Sequence, residues 1–358
     1  MYLLGIMSGT SLDGLDIAYC KIDGKSFELI AAETYPYSPQ WVKCLSNLER
    51  ASALDYALVD ADLGHYIGQR INQFRHTHPG PVDAVASHGH TIFHQPKLHF
   101  TTQIGDGDAI AAETGLPVVY RFRNLDVALG GQGAPLVPIG DRLLFGQYGA
   151  CLNLGGIANI SYEVDADPDG SQPGHRKAYD ICPCNMALNH LARLSGEAYD
   201  RNGLLARSGN INNDLLASMD ALEYYRRPLP KSLGKEWFIS DFLPLLTPQD
   251  HTINDLLCTT VEHIAHQISN AIKGHGLETM LVTGGGAKNN YLIARLQVLM
   301  PSCKITIPSA DIIDYKEAII FALLGYLRLN RQSNCLSSVT GARFDNCGGD
   351  IAGLVHPA

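Results

Sequence analysis

The groups that could do chemistry in this chain are few, and most stand beside glycine. Asp180 lies in Tyr179-Asp-Ile-Cys-Pro-Cys-Asn185, after an apolar run and just before a helix expected from Asn185. A carboxylate at such a turn can reach a cleft and take a proton from water; it can equally be a turn or cap residue. Gly5-Ile-Met-Ser-Gly-Thr-Ser-Leu-Asp-Gly-Leu-Asp16 offers small residues whose turn amides can face an anion, with Ser8, Thr10 and Ser11 as hydroxyl donors. Asp13 and Asp16 add carboxylates that suit a water-coordinated Mg²⁺. No GxxxxGK[ST] occurs, so this is not a Walker loop. Asn153-Leu-Gly-Gly-Ile-Ala-Asn-Ile-Ser161 repeats the logic of a phosphate-facing hairpin. Thr283-Gly-Gly-Gly-Ala-Lys-Asn289, between a strand and a helix, suits the ribose, base or phosphates of a nucleotide at a helix start. Each loop alone also reads as a plain tight turn; together they describe a ligand cradled by several turns. His88, His90 and His94 form an HxHxxxH group that could hold zinc or make structural and substrate hydrogen bonds, and no further ligand is evident.

The elements that must position these groups are legible as periodicities. Residues 2–7 and 15–22 are apolar runs around a Ser/Gly/Thr/Asp turn, a hairpin with 27–34 as a third strand. Residues 53–76 carry helical spacing, 82–86 read as a buried strand, 108–114 as a short helix and 117–120 as a strand. Residues 149–154 and 157–163 form a second hairpin resembling the first. The second half continues with helices at 186–195, 253–273, 288–299 and 315–329, and strands at 279–283 and 304–307. Two halves that each open on a glycine-rich hairpin argue for two α/β domains with a cleft between them, divided in the Gly/Pro stretch Gly130 to Pro138.

Composition narrows the class. The 358 residues are 46% hydrophobic and 18% charged, which excludes a disordered or coiled-coil chain. With 27 basic against 36 acidic residues the net charge is −9, the wrong sign for a protein that wraps nucleic acid. Nine dispersed cysteines without a CxxC suggest buried thiols in a reducing compartment. The N-terminus lacks a basic region and a long apolar run, and no 18-residue apolar stretch occurs, so neither a signal peptide nor a membrane helix is expected and the cytoplasm is the default.

Taken together the motifs resemble the 1,6-anhydro-N-acetylmuramic acid kinases of the sugar kinase, Hsp70 and actin superfamily. The matching pieces are GIMSGTSLDGLD from Gly5, SHGHT from Ser87, QIGDGDAIAAETGLPVV from Gln103, GGQGAPLVP from Gly130, NLGGIANIS from Asn153, LPKSLGKEWF from Leu229, TGGGAKN from Thr283 and KEAIIFALL from Lys316. The resemblance implies a two-domain actin-like ATPase (ribonuclease H-like) α/β fold with an interdomain active-site cleft. Residues 1–135 with about 315–358 would form the first domain and 136–314 the second. It implies an ATP- and Mg²⁺-dependent kinase that opens the 1,6-anhydro bond with water and phosphorylates O6, giving N-acetylmuramate 6-phosphate in cell-wall sugar salvage. A homodimer is implied, with a small-molecule sugar and neither nucleic acid nor membrane as partner.

Carried onto this chain, Asp180 matches the catalytic aspartate. Gly9, Thr10, Ser11, Leu12, Asp13, Gly14, Leu15 and Asp16 would hold phosphates, with Asp13 reaching the metal through water. Gly155 and Gly156 would approach the phosphates and Gly284, Gly285 and Gly286 the adenosine. Gly131, Gln132, Gly133, Glu317 and His88 would lie on the sugar side, with His90 near them. The chain departs from the family at Cys182 and Cys184, where glycines are usual, at His90 for glutamine, and at Arg121 for aspartate. A Cβ at a glycine position could narrow the pocket, and a reversed charge could change the sugar. Alternatives are therefore a kinase for another anhydrosugar, a non-catalytic nucleotide-binding protein of the same fold, and a zinc hydrolase built on the histidines.

Overall fold

β1 (Tyr2–Ser8) and β2 (Gly14–Ile22) pair antiparallel, with Leu3 opposite Cys20 and Ser8 opposite Leu15. Leu3, Leu4, Ile6, Ile17, Ala18 and Cys20 are wholly buried, as strands covered on both faces require. The computed structural model describes residues 1–9, 11–166, 174–247 and 251–353. β3 (Phe27–Pro36) follows antiparallel to β2, while β4 (Ala84–Gln95) lies parallel to β1. β5 (Phe100–Ile104) folds back on the second half of β4, and β6 (Val118–Tyr120) runs parallel to its first half. The strand Asp350–Ala352 closes that edge. The sheet order is thus Asp350–Ala352, β6, β4, β1, β2, β3, with β5 on β4.

A second sheet has the order β11 (Lys304–Thr306), β10 (Thr279–Thr283), β7 (Ala150–Leu154), β8 (Ile157–Val164), β9 (His175–Pro183). β7, β8 and β9 are antiparallel neighbours, and β7, β10 and β11 are parallel. This repeats β6-β4-β1-β2-β3 strand for strand. Two α/β sheets of one topology, each opening on a hairpin, make the actin-like fold of ribonuclease H-like units. The chain divides into two compact units, Met1–Leu144 with Tyr315–Ala358, and Phe145–Asp314.

In the second unit the helix Ile253–Ile272 lays Leu257, Val261, Ile264 and Ile268 into the core. Its N-cap Thr252 accepts from the Asp255 amide and donates to the Asp255 carboxylate, a reciprocal cap. In the first unit the helix Ala310–Leu329 crosses β1 at Gly5, where a Cβ would collide with the Ala318 carbonyl. That close approach seats the turn bearing Lys316 and Glu317.

Three segments differ from expectation. The strand expected over 82–86 continues to Gln95, so SHGHT lies in β4 rather than a loop; distant β5 pairs its polar half. The helix expected at 315 begins at Ala310. Val137–Leu144 is helical, directly after the irregular glycine stretch.

Candidate active site

Asp180 lies within β9, not after it. Asn159 pairs with Asp180 and Ala158 with Cys182, leaving Ile181 as an extra residue. Such a bulge bends a strand and re-aims its side chains. The Leu233 amide donates to Asp180 Oδ2 at 2.9 Å, and the Tyr224 hydroxyl donates to the Asp180 carbonyl at 2.6 Å. No described group donates to Oδ1. Burial pushes the carboxyl above the ordinary aspartate range, and the Leu233 amide opposes it. Asp180 is thus a fixed, half-buried carboxylate with one oxygen free for water. Sequence reasoning named Asp180 but missed Tyr224 and Leu233, which reach it from 44 and 53 residues away.

Cys182 and Cys184 do not narrow a pocket. Both are 0% exposed in the core of the second unit, beside Ala158 and Leu188. Burial raises the Cys184 thiol to about 12 and the Cys182 thiol well above its ordinary value. The bulge reverses the facing that simple strand alternation would assign.

The glycine loops of this unit meet one another. Asn185 Nδ2 donates to the Leu154 carbonyl at 2.8 Å, and its amide donates to the Gly155 carbonyl at 3.0 Å. The amides of Cys184 and Met186 both donate to the Gly156 carbonyl. The Gly155 and Gly156 amides donate to no described group, so both are available to an anion. Gly284 has φ +79°, and a Cβ there would strike Asn153 and the Leu154 backbone; one at Gly286 would lie 2.7 Å from Leu154 Cβ. Gly285 borders a cavity of about 540 Å³ with Asn185, Asn189, Arg201, Lys288 and Asn289. Asp180 is not among its lining residues.

In the first unit the β1–β2 turn runs through residues 9–13; Thr10 lies outside the described residues. The Leu12 amide donates to the Gly9 carbonyl, and Leu12 itself has φ +59°. Ser11 donates to Asp13 Oδ1 at 2.7 Å and Thr34 to Asp16 Oδ1 at 2.6 Å. Gly14 and Leu15 are buried strand residues that fix the end of the turn.

The residues expected on the sugar side are organised by two groups that sequence reasoning did not single out, Arg123 and Asp126. Arg123 Nε donates to His88 Nε2 at 3.0 Å and Nη1 to the Gly133 carbonyl at 2.7 Å. Asp126, fully buried, accepts at Oδ2 from the Gly133 amide at 2.7 Å. Its Oδ1 accepts from Cys335, Thr340 and Asn346. The Gln132 amide donates to the Thr340 carbonyl, leaving the Gln132 side chain exposed. A Cβ at Gly131 would collide with Asp126 Oδ2. Glu317 keeps an exposed surface while surrounded by protein. Lost hydration raises its carboxyl above the ordinary range, opposed by Arg123 and then Lys316. Lys316 itself pairs with buried Asp141 at 2.7 Å. Arg121 stands apart, exposed over the Tyr120 ring and 3.7 Å from Asp350.

The histidines do not assemble a metal centre. Arg123 occupies the Nε2 lone pair of His88, and its Nδ1–H donates to the Gly89 carbonyl at 2.9 Å. Burial and Arg123 hold His88 well below its ordinary pKa. His90 turns instead to Ser8, whose hydroxyl accepts from Tyr37 at 2.8 Å and shares a hydrogen bond with His90 Nδ1 at 3.0 Å. His94 bonds Thr101. Among the described residues no group of three His, Cys, Asp or Glu side chains could hold a metal ion.

The family model for anhydro-N-acetylmuramic acid kinase matches residues 1–352. A protein named anhydro-N-acetylmuramic acid kinase from Sulfurovum sp. (strain NBC37-1) is 39% identical over 354 residues, covering 95% of this chain and 96% of the relative. One of the same name from Pasteurella multocida (strain Pm70) is 38% identical over 366 residues, covering 96% and 94%. Among solved structures, (R)-2-hydroxyglutaryl-CoA dehydratase component A from Acidaminococcus fermentans aligns with a TM-score of 0.48 and 13% identity, over 90% of this chain and 96% of that one. That likeness is too distant to bear on function.

Proposed function

The chain belongs to the anhydro-N-acetylmuramic acid kinase family, and we propose that Asp180 is the base of its reaction. The enzyme transfers phosphate to an alcohol group. It opens 1,6-anhydro-N-acetylmuramic acid with water and phosphorylates O6, giving N-acetylmuramate 6-phosphate. The observation that carries the proposal is the carboxylate geometry: Oδ2 tied by the Leu233 amide and Oδ1 left for a water.

The Asp180 carboxylate takes a proton from that water as its oxygen bonds to C1 of the sugar. The C1–O6 bond breaks, and its electron pair stays on O6. O6 attacks the γ-phosphorus of ATP, the bond to the β-phosphate oxygen breaks, and ADP leaves. The proton on Asp180 returns to solvent. Because water attack and phosphoryl capture are coupled, no free alkoxide forms. Phosphoryl transfer then depends mainly on positioning and charge stabilisation. A raised carboxyl pKa makes Asp180 a stronger base.

The unpaired Gly155 and Gly156 amides support a role with the phosphates, and the cavity at Gly285 supports a role with adenosine. In the other unit, the Gly9–Asp16 turn supplies further phosphate donors. Asp13 keeps acceptor capacity beyond its single hydroxyl bond, which fits Mg²⁺ held through water. The metal, when bound, neutralises charge on the phosphate oxygens. The Arg123–Asp126 framework holds Gly131 to Gly133 and His88 for the sugar, with Glu317 beside Arg123. We assign the reaction to the cytoplasm, where ATP is supplied, and a homodimer as the assembly for light scattering to test. No helix among the described residues is long and apolar enough to cross a membrane.

The test is Asp180→Asn. Turnover should fall at least about a hundredfold with ATP binding and folding retained. Near-normal turnover would remove Asp180 from the role.

A further inference from the structure

The loop that supplies the Leu233 amide also carries Lys231, a cation the reaction above does not use. Its Nζ lies 4.7 Å from the centre of the Tyr224 ring and 6.0 Å from that of Tyr179. Tyr224 is the residue whose hydroxyl holds the Asp180 backbone, and Tyr179 precedes Asp180. Lys231 makes one long hydrogen bond, 3.4 Å to the Tyr224 carbonyl. No carboxylate of the described residues pairs with it. The titratable neighbour it senses is the buried Cys182 thiol, whose raised pKa leaves it neutral. An ammonium has three donors and is strongly hydrated, so partial burial without a counter-ion is costly unless an anion completes it. In a chain with nine more acidic than basic residues, a half-buried lysine with no carboxylate partner, two positions before the amide that holds Asp180, is notable for what it lacks.

We propose that Lys231 receives the lactyl carboxylate of the sugar acid and so sets the preference for muramic over neutral anhydrosugars. This rests on Asp180 being the base at C1. The two aromatic faces, Tyr224 and Tyr179, limit where the ammonium can swing, and the Leu233–Asp180 bond ties the loop to the carboxylate. The cation for the acid and the amide that fixes the base are thereby mounted on one short segment, residues 229–237.

The test uses Lys231→Met and Lys231→Arg. Affinities for 1,6-anhydro-N-acetylmuramic acid and its lactyl methyl ester are measured by calorimetry in the Asp180→Asn background, where the sugar is not consumed. KM for ATP is measured with Asp180 intact. The acid should bind the Lys231 protein tighter than the ester, and Lys231→Met should weaken the acid roughly ten- to hundredfold, the worth of a charge-assisted hydrogen bond. Ester affinity and the KM for ATP should not move, and Lys231→Arg should recover most of the acid preference. Equal weakening of acid and ester, no preference for the acid with Lys231 present, or a raised KM for ATP in Lys231→Met would each overturn the proposal. Turnover by the unmodified enzyme and its loss in Asp180→Asn are read separately, so failure of the base is distinguishable from failure of Lys231.

Discussion

Replacing Asp126 by asparagine should loosen the Gly131 to Gly133 loop, which we propose faces the sugar, and leave ATP binding unchanged. Asp126 accepts four hydrogen bonds and is fully buried. Three donors converge on Oδ1, so an asparagine must place its oxygen there and its NH₂ at Oδ2. That sets two donors face to face, since the Gly133 amide now lies 2.7 Å from Oδ2. One hydrogen bond is lost and a buried N–H is left without an acceptor, costing about 1–3 kcal/mol. Weaker bonds from the other three donors to a neutral oxygen add about 1 kcal/mol. The expected loss is about 2–4 kcal/mol, unless Gly131 to Gly133 gives way locally and relieves it. Urea unfolding and steady-state kinetics distinguish these routes: the first lowers the midpoint, and the second raises KM for the sugar roughly tenfold with KM for ATP unchanged. Unchanged stability together with an unchanged sugar KM would refute the reasoning.

Other outcomes follow from the same geometry. Because burial raises the Asp180 carboxyl, kcat/KM should fall with decreasing pH through a value above the ordinary aspartate 3.8; the loss sets in as Asp180 gains its proton. A profile flat down to pH 4 would count against it. Gly284→Ala forces a side chain into a φ of +79° and against Asn153, so ATP affinity should drop at least tenfold by calorimetry and stability by about 2 kcal/mol. Cys182 and Cys184, with raised pKa and no exposure, should resist alkylation at pH 8 in the folded protein and react in urea; rapid modification when folded would contradict their packing. With Arg123 on His88 Nε2, metal analysis should find no stoichiometric zinc, and activity lost to a chelator should return with Mg²⁺ alone.

Local pattern made some of this legible. The hairpins around Gly9 and Gly155 are apolar runs broken by glycine, and the helix Ile253–Ile272 announces itself by a one-sided apolar stripe. Asp180 stands out because few carboxylates sit between an apolar run and a helix start. What stayed hidden depends on distant partners. Ser87 to Thr91 are strand because β1 pairs with Ser87 and His90 and β5 with His90 and Thr91, and Gly89, at φ +72°, would clash through a Cβ with the Ile104 carbonyl of β5. The inward turn of Cys182 and Cys184 follows from one extra residue at Ile181, which alternation cannot reveal. Nothing in the local sequence marks Asp126, whose partners Cys335, Thr340 and Asn346 are brought to it from over 200 residues away. Arg121 and Arg123 differ by two positions, yet one stands in solvent against Asp350 and the other is bound to His88.

The most direct test of the central claim is turnover in ¹⁸O-labelled water with ATP, Mg²⁺ and 1,6-anhydro-N-acetylmuramic acid, with the products resolved by mass. The account predicts a sugar heavier than substrate by one phosphate and one water, with ¹⁸O on C1 and none in the phosphate. It also predicts that Asp180→Asn forms neither this sugar nor sugar-dependent ADP at more than about a hundredth of the normal rate. Label appearing in the phosphate, a phosphorylated sugar that keeps its anhydro bond, or full labelling by Asp180→Asn would contradict it.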